Sequence, residues 1–492
     1  MKIAKRTAAV VVFTALLVGI MAGVNWLFQM KDVDGCYPVQ MFYKQEKNTV
    51  DVLCLGSSHT YTNINPAVLW DEYGIASYNL AGSNQPLWNT YYYFKEALKY
   101  QTPELAVVDV YRAIETEDYQ EEARIVMNTF GLRYSKDWAE NLEVSLSPNA
   151  SYMDYFLRFP VYHSRYQELK QMDFQLYNGD VNRENYKGFN LKSVSTTAFG
   201  GYPDVSSVTE VGEMTEKTQE YLEKIIVLAQ ENDVPLLLVS APYMGGVLED
   251  KEIYNQVEQI AAAYGVEFID FNEHYTDIGL DLERDFAEWS HLNYDGSEKY
   301  TRYLGKLIEE HYEVSDRRGD VRYASWEKNA RFYEKQAANV ALTKSETKEE
   351  YFKKLFAESG RYTICINIAG DMKQKDKKKL GKLLKKYDMD MDENATWIFK
   401  GGELLYSLPV DKKITEDSLF YKNLGSGSIS VSVEMGYDDV RGVFPYKKIV
   451  VEGTSCNAAE RGINILVYDN EFQSVVDNVG LNADNNYEFC RY

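Results

Sequence analysis

The chain has 492 residues, 45% of them hydrophobic, which suits two folded domains and excludes global disorder. A formal net charge of −22 repels phosphate backbones, so no nucleic-acid partner is expected. Five cysteines without CxxC or Cys/His zinc spacing argue against a structural metal, and no cofactor is expected.

Read in chain order, Thr7 to Phe28 is apolar apart from Thr7, Thr14 and Asn25, long enough to cross a bilayer as a helix. Lys2, Lys5 and Arg6 precede it and favour a cytoplasmic N-terminus. The apolar core is long for a cleaved signal, and Ala22-Gly23-Val24 is a poor cleavage site. Residues 1–29 are therefore expected to be a cytoplasmic tip and single-pass anchor in the cell membrane, with the remainder extracytoplasmic. Residues 30–49 read as a polar stalk.

From residue 50 to 315 strands alternate with helices, which predicts a doubly wound parallel sheet of flavodoxin-like order. The strands are Asp51–Leu55, Ala76–Leu80, Leu105–Val110, Pro235–Ser240 and Val266–Asp270. The helices are Pro66–Tyr73, Leu87–Tyr100, Thr215–Gln230, Lys251–Tyr264 and Ser297–His311. An aromatic insertion spans about 111–213 and is expected to be partly helical over Tyr152–Lys170. Residues 316–355 are charged and read as a helical or solvated linker. Residues 356–492 change character to a β-rich domain, with strands at Tyr362–Ile368, Ser428–Val433, Lys448–Val451 and Ile463–Tyr468. The lysine-rich run Lys373–Lys386 fits the exposed face of a helix. Cys54 reads as a small core residue, and Cys456 and Cys490 are candidates to pair. Forty tyrosines suit stacking on sugars, yet ordinary packing accounts for them as well.

Three pieces carry chemistry. Gly56-Ser57-Ser58-His59 follows a strand directly, where a serine hydroxyl is presented at the sheet edge beside backbone N–H groups; an ordinary turn is the plainer reading. Ala81-Gly82-Ser83-Asn84 ends the second strand, and Gly82 N–H with the Asn84 side chain are candidate oxyanion donors, against a simple strand-ending turn. Glu288-Trp289-Ser290-His291 precedes the last helix, and a carboxylate three residues before a histidine can orient its ring as a base for a serine proton. His59 either lines the pocket or caps the turn. His163 and Arg165, in the insertion, are candidate substrate contacts, with a structural role the plainer one for His163.

Together and in this order, the three pieces resemble the SGNH/GDSL hydrolase superfamily over about residues 48 to 312. The resemblance implies a three-layer fold, Ser58 as nucleophile, His291 as base, Glu288 as acid and Gly82 as the glycine of the second block. The chain departs from the family at Ser57 and Glu288, both of which stand where it carries Asp. Asp285 is an alternative acid, and Asp109-Val110-Tyr111-Arg112 stands where a Gly-x-Asn-Asp block is expected. The Gly-Ser-Ser variant, the anchor and Ser290-His291-Leu292-Asn293 are similar to bacterial cell-envelope proteins that accompany membrane-bound O-acyltransferases (MBOAT). Lipoteichoic-acid D-alanylation and alginate acetylation proteins are of this kind. This implies acyl transfer or ester hydrolysis on a cell-envelope glycan or polymer, beside a membrane O-acyltransferase partner. A carbohydrate esterase (deacetylase) is one alternative; a catalytically degenerate glycan-binding scaffold is another. From Pro445 onward, Tyr446–Gly453, Glu460–Asp469 and Val475–Val479 resemble the interleukin-like EMT inducer (ILEI) domain, which implies glycan binding, with a ligand-free packing domain as the alternative.

Overall fold

Five short strands form one parallel sheet: β1 (Val52–Gly56), β2 (Ser77–Ala81), β3 (Leu105–Asp109), β4 (Leu236–Ser240) and β5 (Glu267–Asp270), in the order β2-β1-β3-β4-β5. That is the flavodoxin-like order, and it brings the carboxyl ends of the strands to one edge, where such sheets bind ligands. Every residue of β1 to β4 is buried, as expected of strands covered on both faces. Leu53, Leu55, Ala106, Val108 and Leu238 point into one core with residues of helices Leu87–Ala97 and Glu216–Glu231. Their alternates Val52, Cys54, Leu105, Val107 and Leu237 point into the other, under helices Pro66–Tyr73 and Tyr294–His311. Burial pushes the Cys54 thiol up to about 12, in keeping with a core residue.

This computed structural model describes residues 2–29, 36–169, 171–174, 183–192, 201–369, 374–387, 389–390, 394–409, 420–423, 428–438, 442–451, 453–456, 458–459 and 461–491. The chain divides into two compact units, Met1–Tyr333 and Glu334–Tyr492. Lys2–Phe28 is one helix, and its stretch Lys5–Phe28 is apolar and long enough to cross a membrane.

Several expectations are corrected. The described part of the supposed stalk contains a helix, Cys36–Phe42, whose Cys36, Val39 and Phe42 lie in the first core; residues 30–35 fall outside the described residues. The stretch expected to be partly helical, Tyr152–Lys170, is so: helix Tyr152–Leu157 ends at Arg158, whose φ of +60° precedes a new turn Phe159–Tyr162 containing Pro160. Lys170 lies outside the described residues. The insertion contributes to the first core, where Trp138 and Leu142 on helix Lys136–Ser145 are buried. The segment 316–355 is helical, the first of the two alternatives, over Ala324–Thr343 and Lys348–Ala357, but it is not a solvated linker. Tyr323 and Trp326 are buried in the first unit, and Tyr351, Phe352 and Leu355 in the second, so the division falls inside helix Ala324–Thr343.

Among its described residues the second unit pairs ten strands, all antiparallel: β6 (Tyr362–Ala369), β7 (Asn394–Lys400), β8 (Glu403–Pro409), β9 (Phe420–Asn423), β10 (Ser428–Asp438), β11 (Gly442–Val451), β12 (Thr454–Ser455), β13 (Gly462–Asp469), β14 (Ser474–Asn482) and β15 (Phe489–Arg491). They make a six-stranded sheet, β15-β14-β13-β6-β7-β8, and a four-stranded one, β12-β11-β10-β9. Cys365, Ile398 and Leu466 of the larger sheet meet Ile429, Val431, Ile449 and Val451 of the smaller. The other face of the larger sheet, with Ile364 and Ile366, is covered by Tyr351, Phe352, Leu380 and Leu384. Helix Gln374–Leu384 buries those two leucines and exposes Lys375 and Lys378, the face expected of the lysine run. Cys456 and Cys490 do not pair: Cys456 is buried, Cys490 is exposed, and neither is joined in a disulfide.

Candidate active site

Gly56 ends β1 at φ +139°, and a Cβ there would sit 2.5 Å from Thr60 Oγ1 and 2.8 Å from the Asp109 carbonyl oxygen. Only glycine turns the chain this sharply against β3. The turn leads into the short helix Ser58–Asn63, so Ser58 stands at its first position, just past the sheet edge and 7% exposed. Every residue of this helix is buried, and its Thr60 and Thr62 hydroxyls find local partners: Thr60 Oγ1 donates to Leu55 O (3.0 Å) and Thr62 Oγ1 to Ser58 O (2.7 Å). The Ser57 hydroxyl is buried and without a partner among the described residues.

His291 lies on a tight loop closed by the Phe286–Leu292 bridge and by Ala287 N donating to His291 O (2.9 Å). Asn63 Oδ1 accepts from Leu292 N (3.2 Å) and ties this loop to the helix bearing Ser58. Asn293 then caps helix Tyr294–His311, accepting from Asp295 N and Gly296 N. In this frame His291 Nε2 lies 2.8 Å from Ser58 Oγ, while His291 Nδ1 hydrogen-bonds Glu288 Oε1. Glu288 Oε2 accepts from Ser290 N (2.8 Å), which fixes the carboxylate. The three side chains form a continuous serine–imidazole–carboxylate relay. Burial holds the His291 imidazole below its ordinary pKa, and Glu288 opposes that shift.

Asp285 does not complete the relay. It is 1% exposed, and its Oδ2 accepts from Asp281 N and Lys299 Nζ (both 2.6 Å), which makes it a support for the loop. Gly82 follows Ala81, the register partner of Gly56, so its N–H belongs to the same sheet edge as Ser58. A Cβ on Gly82 would lie 2.2 Å from Asn128 Oδ1 and 2.7 Å from Gln85 Oε1. Asn84 takes φ +45°, and its carbonyl accepts from Gln120 Nε2 (2.7 Å); no bond joins it to Ser58 among the described residues. His163 Nδ1 pairs with Pro160 O, and Arg165 with Phe28 O and Asp173, so neither is bonded to this cluster.

His59 is fully buried. Its Nε2 bonds Ser290 Oγ (3.1 Å), and its ring stacks on Tyr111 with centroids 3.8 Å apart. Burial, then the neighbouring His291 and Arg112, hold its pKa well below the ordinary histidine value, so it is neutral. Tyr243 packs edge-on to Tyr111 and donates to Asp250 Oδ2 (2.7 Å). Tyr111 and Tyr243 follow the ends of β3 and β4, so the rule about strand ends was the only sequence signal for them. Asp109, at the end of β3, joins their two loops by accepting from Tyr111 N (3.1 Å) and Ala241 N (3.0 Å), and burial lifts its carboxyl to about 7. Trp289 stays 54% exposed beside the relay, its ring laid against Gly245, where a Cβ would come within 2.1 Å of it. Among the described residues no group of three His, Cys, Asp or Glu side chains has metal-binding geometry.

No protein-family model and no curated protein matches the chain. Among solved structures, a protein assigned to the G-D-S-L family of lipolytic proteins, from Desulfitobacterium hafniense DCB-2, is similar over 53% of this chain and 99% of its own. Identity is 14% and the TM-score 0.28.

Proposed function

We propose that the chain is a membrane-anchored, extracytoplasmic serine acyltransferase or esterase of SGNH type, acting on O-acyl groups of a cell-envelope glycan or polymer. The observation that carries the reading is the Ser58–His291–Glu288 relay at the carboxyl edge of a parallel sheet. Neutral His291 takes the Ser58 proton as Oγ attacks the carbonyl carbon of an acyl ester. The oxyanion accepts from Gly82 N–H and Ser58 N–H. His291 then returns the proton to the departing alkoxide, leaving an acyl-enzyme. A glycan hydroxyl, deprotonated by His291, collects the acyl group in transfer; water does so in hydrolysis. Trp289, 54% exposed beside the relay, offers an aromatic face for a sugar ring. A membrane O-acyltransferase fits as the partner that supplies the acyl group, and an ILEI-like second unit fits glycan binding.

A fluorophosphonate probe tests the reading. The wild-type chain is labelled and Ser58→Ala is not; an unlabelled wild type overturns the enzyme. Turnover of p-nitrophenyl acetate with and without sugar acceptors separates the two outcomes: acylated sugar marks transfer, and acetate alone marks esterase action.

A further inference from the structure

Between positions 153 and 174 the chain exposes Met153, Phe156, Leu157, Tyr166 and Phe174, each at 39–62% of its surface. Scattered apolar side chains on a surface are ordinary, but a group concentrated in one stretch is not. This stretch is bonded to the end of the apolar helix Lys2–Phe28. Asn25 Nδ2 donates to Leu157 O (2.8 Å), the Phe28 and Phe159 rings meet edge-on at 5.8 Å, and Arg165 donates to Phe28 O while paired with Asp173. The Arg165 guanidinium thus satisfies a carbonyl at the helix C-terminus, where a positive charge is favoured. Trp26 and Tyr134, also exposed, add aromatic rings to the same region, with Tyr134 Oη donating to Phe156 O (3.0 Å).

We propose that segment 151–174 is a membrane-interface collar. It lies in the headgroup layer of the bilayer that helix Lys5–Phe28 crosses, and immerses Met153, Phe156, Leu157, Tyr166 and Phe174 there. The inference rests on reading that helix as an anchor. The occupant is lipid because the exposed side chains flank the helix where it leaves the hydrocarbon, a level at which Tyr, Trp and Phe are favoured. The collar makes the anchor a rigid mount, so the first unit holds one orientation toward the membrane instead of swinging on a leash.

The full chain is reconstituted in phosphatidylcholine/phosphatidylglycerol vesicles containing a phosphatidylcholine with a diazirine near the carbonyl end of its acyl chain. After irradiation, lipid adducts are mapped by peptide mass spectrometry. Adducts are expected in 5–28 and 151–174, and not around Val321, which is 85% exposed. Adducts in 5–28 alone overturn the collar and leave the anchor standing; adducts in neither overturn both. In the triple variant Met153→Glu, Tyr166→Glu, Phe174→Glu, adducts in 151–174 drop to the Val321 level while those in 5–28 and fluorophosphonate labelling persist. An unchanged yield in 151–174 of that variant also overturns the collar.

Discussion

Burial lowers the proton affinity of His291 and Glu288 raises it, with burial the larger effect. A base must be unprotonated to accept the Ser58 proton, so kcat/KM for p-nitrophenyl acetate should rise with pH through a midpoint below 6.5 and level off above it. Removing the carboxylate removes the influence that raises the pKa. Glu288→Gln should therefore move the acidic limb further down and cut kcat by about 10⁴-fold, because the amide no longer stabilises the imidazolium formed during attack. An acidic limb that moved up in this variant would contradict the assignment. Ser58, Glu288 and His291 could be named from the sequence only as a set, through the family resemblance of the three motifs in chain order, since each motif alone reads as an ordinary turn or loop. Asp285, six residues before His291, was left open as the acid by the sequence; it is Glu288 that bonds His291, while Asp285 is held by Asp281 N and Lys299. Tyr111 and Tyr243 carried no signal of their own among forty tyrosines.

Strands β1, β3 and β4 were legible as elements because each is a short, mostly apolar run bounded by polar or turn residues, the pattern of a strand buried on both faces; β2 carries buried Ser77 and Asn79 and reads less plainly. Helix Pro66–Tyr73 was legible to the residue, since Asn65 caps it, Pro66 opens it and Gly74 closes it at φ +70°. Helix Ser58–Asn63 was not: Ser, His, Thr, Tyr, Thr and Asn show no apolar period, and their burial is made tolerable by bonds both local, as Thr60 Oγ1 to Leu55 O, and distant, as Leu292 N to Asn63 Oδ1. Helix Cys36–Phe42 spans two turns, too few for a period to declare itself. Between elements, Asp109 clasps the loops after β3 and β4 through two backbone N–H groups. Asp109→Ala strands both donors, and each buried N–H left without an acceptor costs about 1–3 kcal/mol. Asp109→Asn keeps one acceptor oxygen and should lose less. Denaturant titration of the two variants beside wild type checks the order, and equal losses would mean the clasp is not what stabilises these loops.

The boundary between the two units has consequences for the whole molecule. Asp51, 4% exposed, is held by Arg317 Nε (2.9 Å), Arg317 Nη2 (3.2 Å) and Tyr323 Oη (3.1 Å), while Trp326 Nε1 donates to Ser77 O (2.8 Å). All these partners lie beyond residue 315, where a charge-based reading ends the first domain. A chain stopped at Ser315 leaves Asp51 buried without its cation, a loss of about 3–5 kcal/mol. Removing the fully buried Trp326 side chain costs about 3–5 kcal/mol more. The two losses together are comparable with the whole stability of a domain, about 5–15 kcal/mol. A chain ending at Thr343, where the helix from Ala324 ends, keeps every one of these contacts and the complete Ser58 relay. The chain stopped at Ser315 should therefore aggregate when purified in detergent, whereas the one stopped at Thr343 should remain monodisperse and take up the fluorophosphonate probe as the full chain does. If the shorter chain were labelled equally well, Tyr323 and Trp326 would be ornaments of the first unit instead of part of its core.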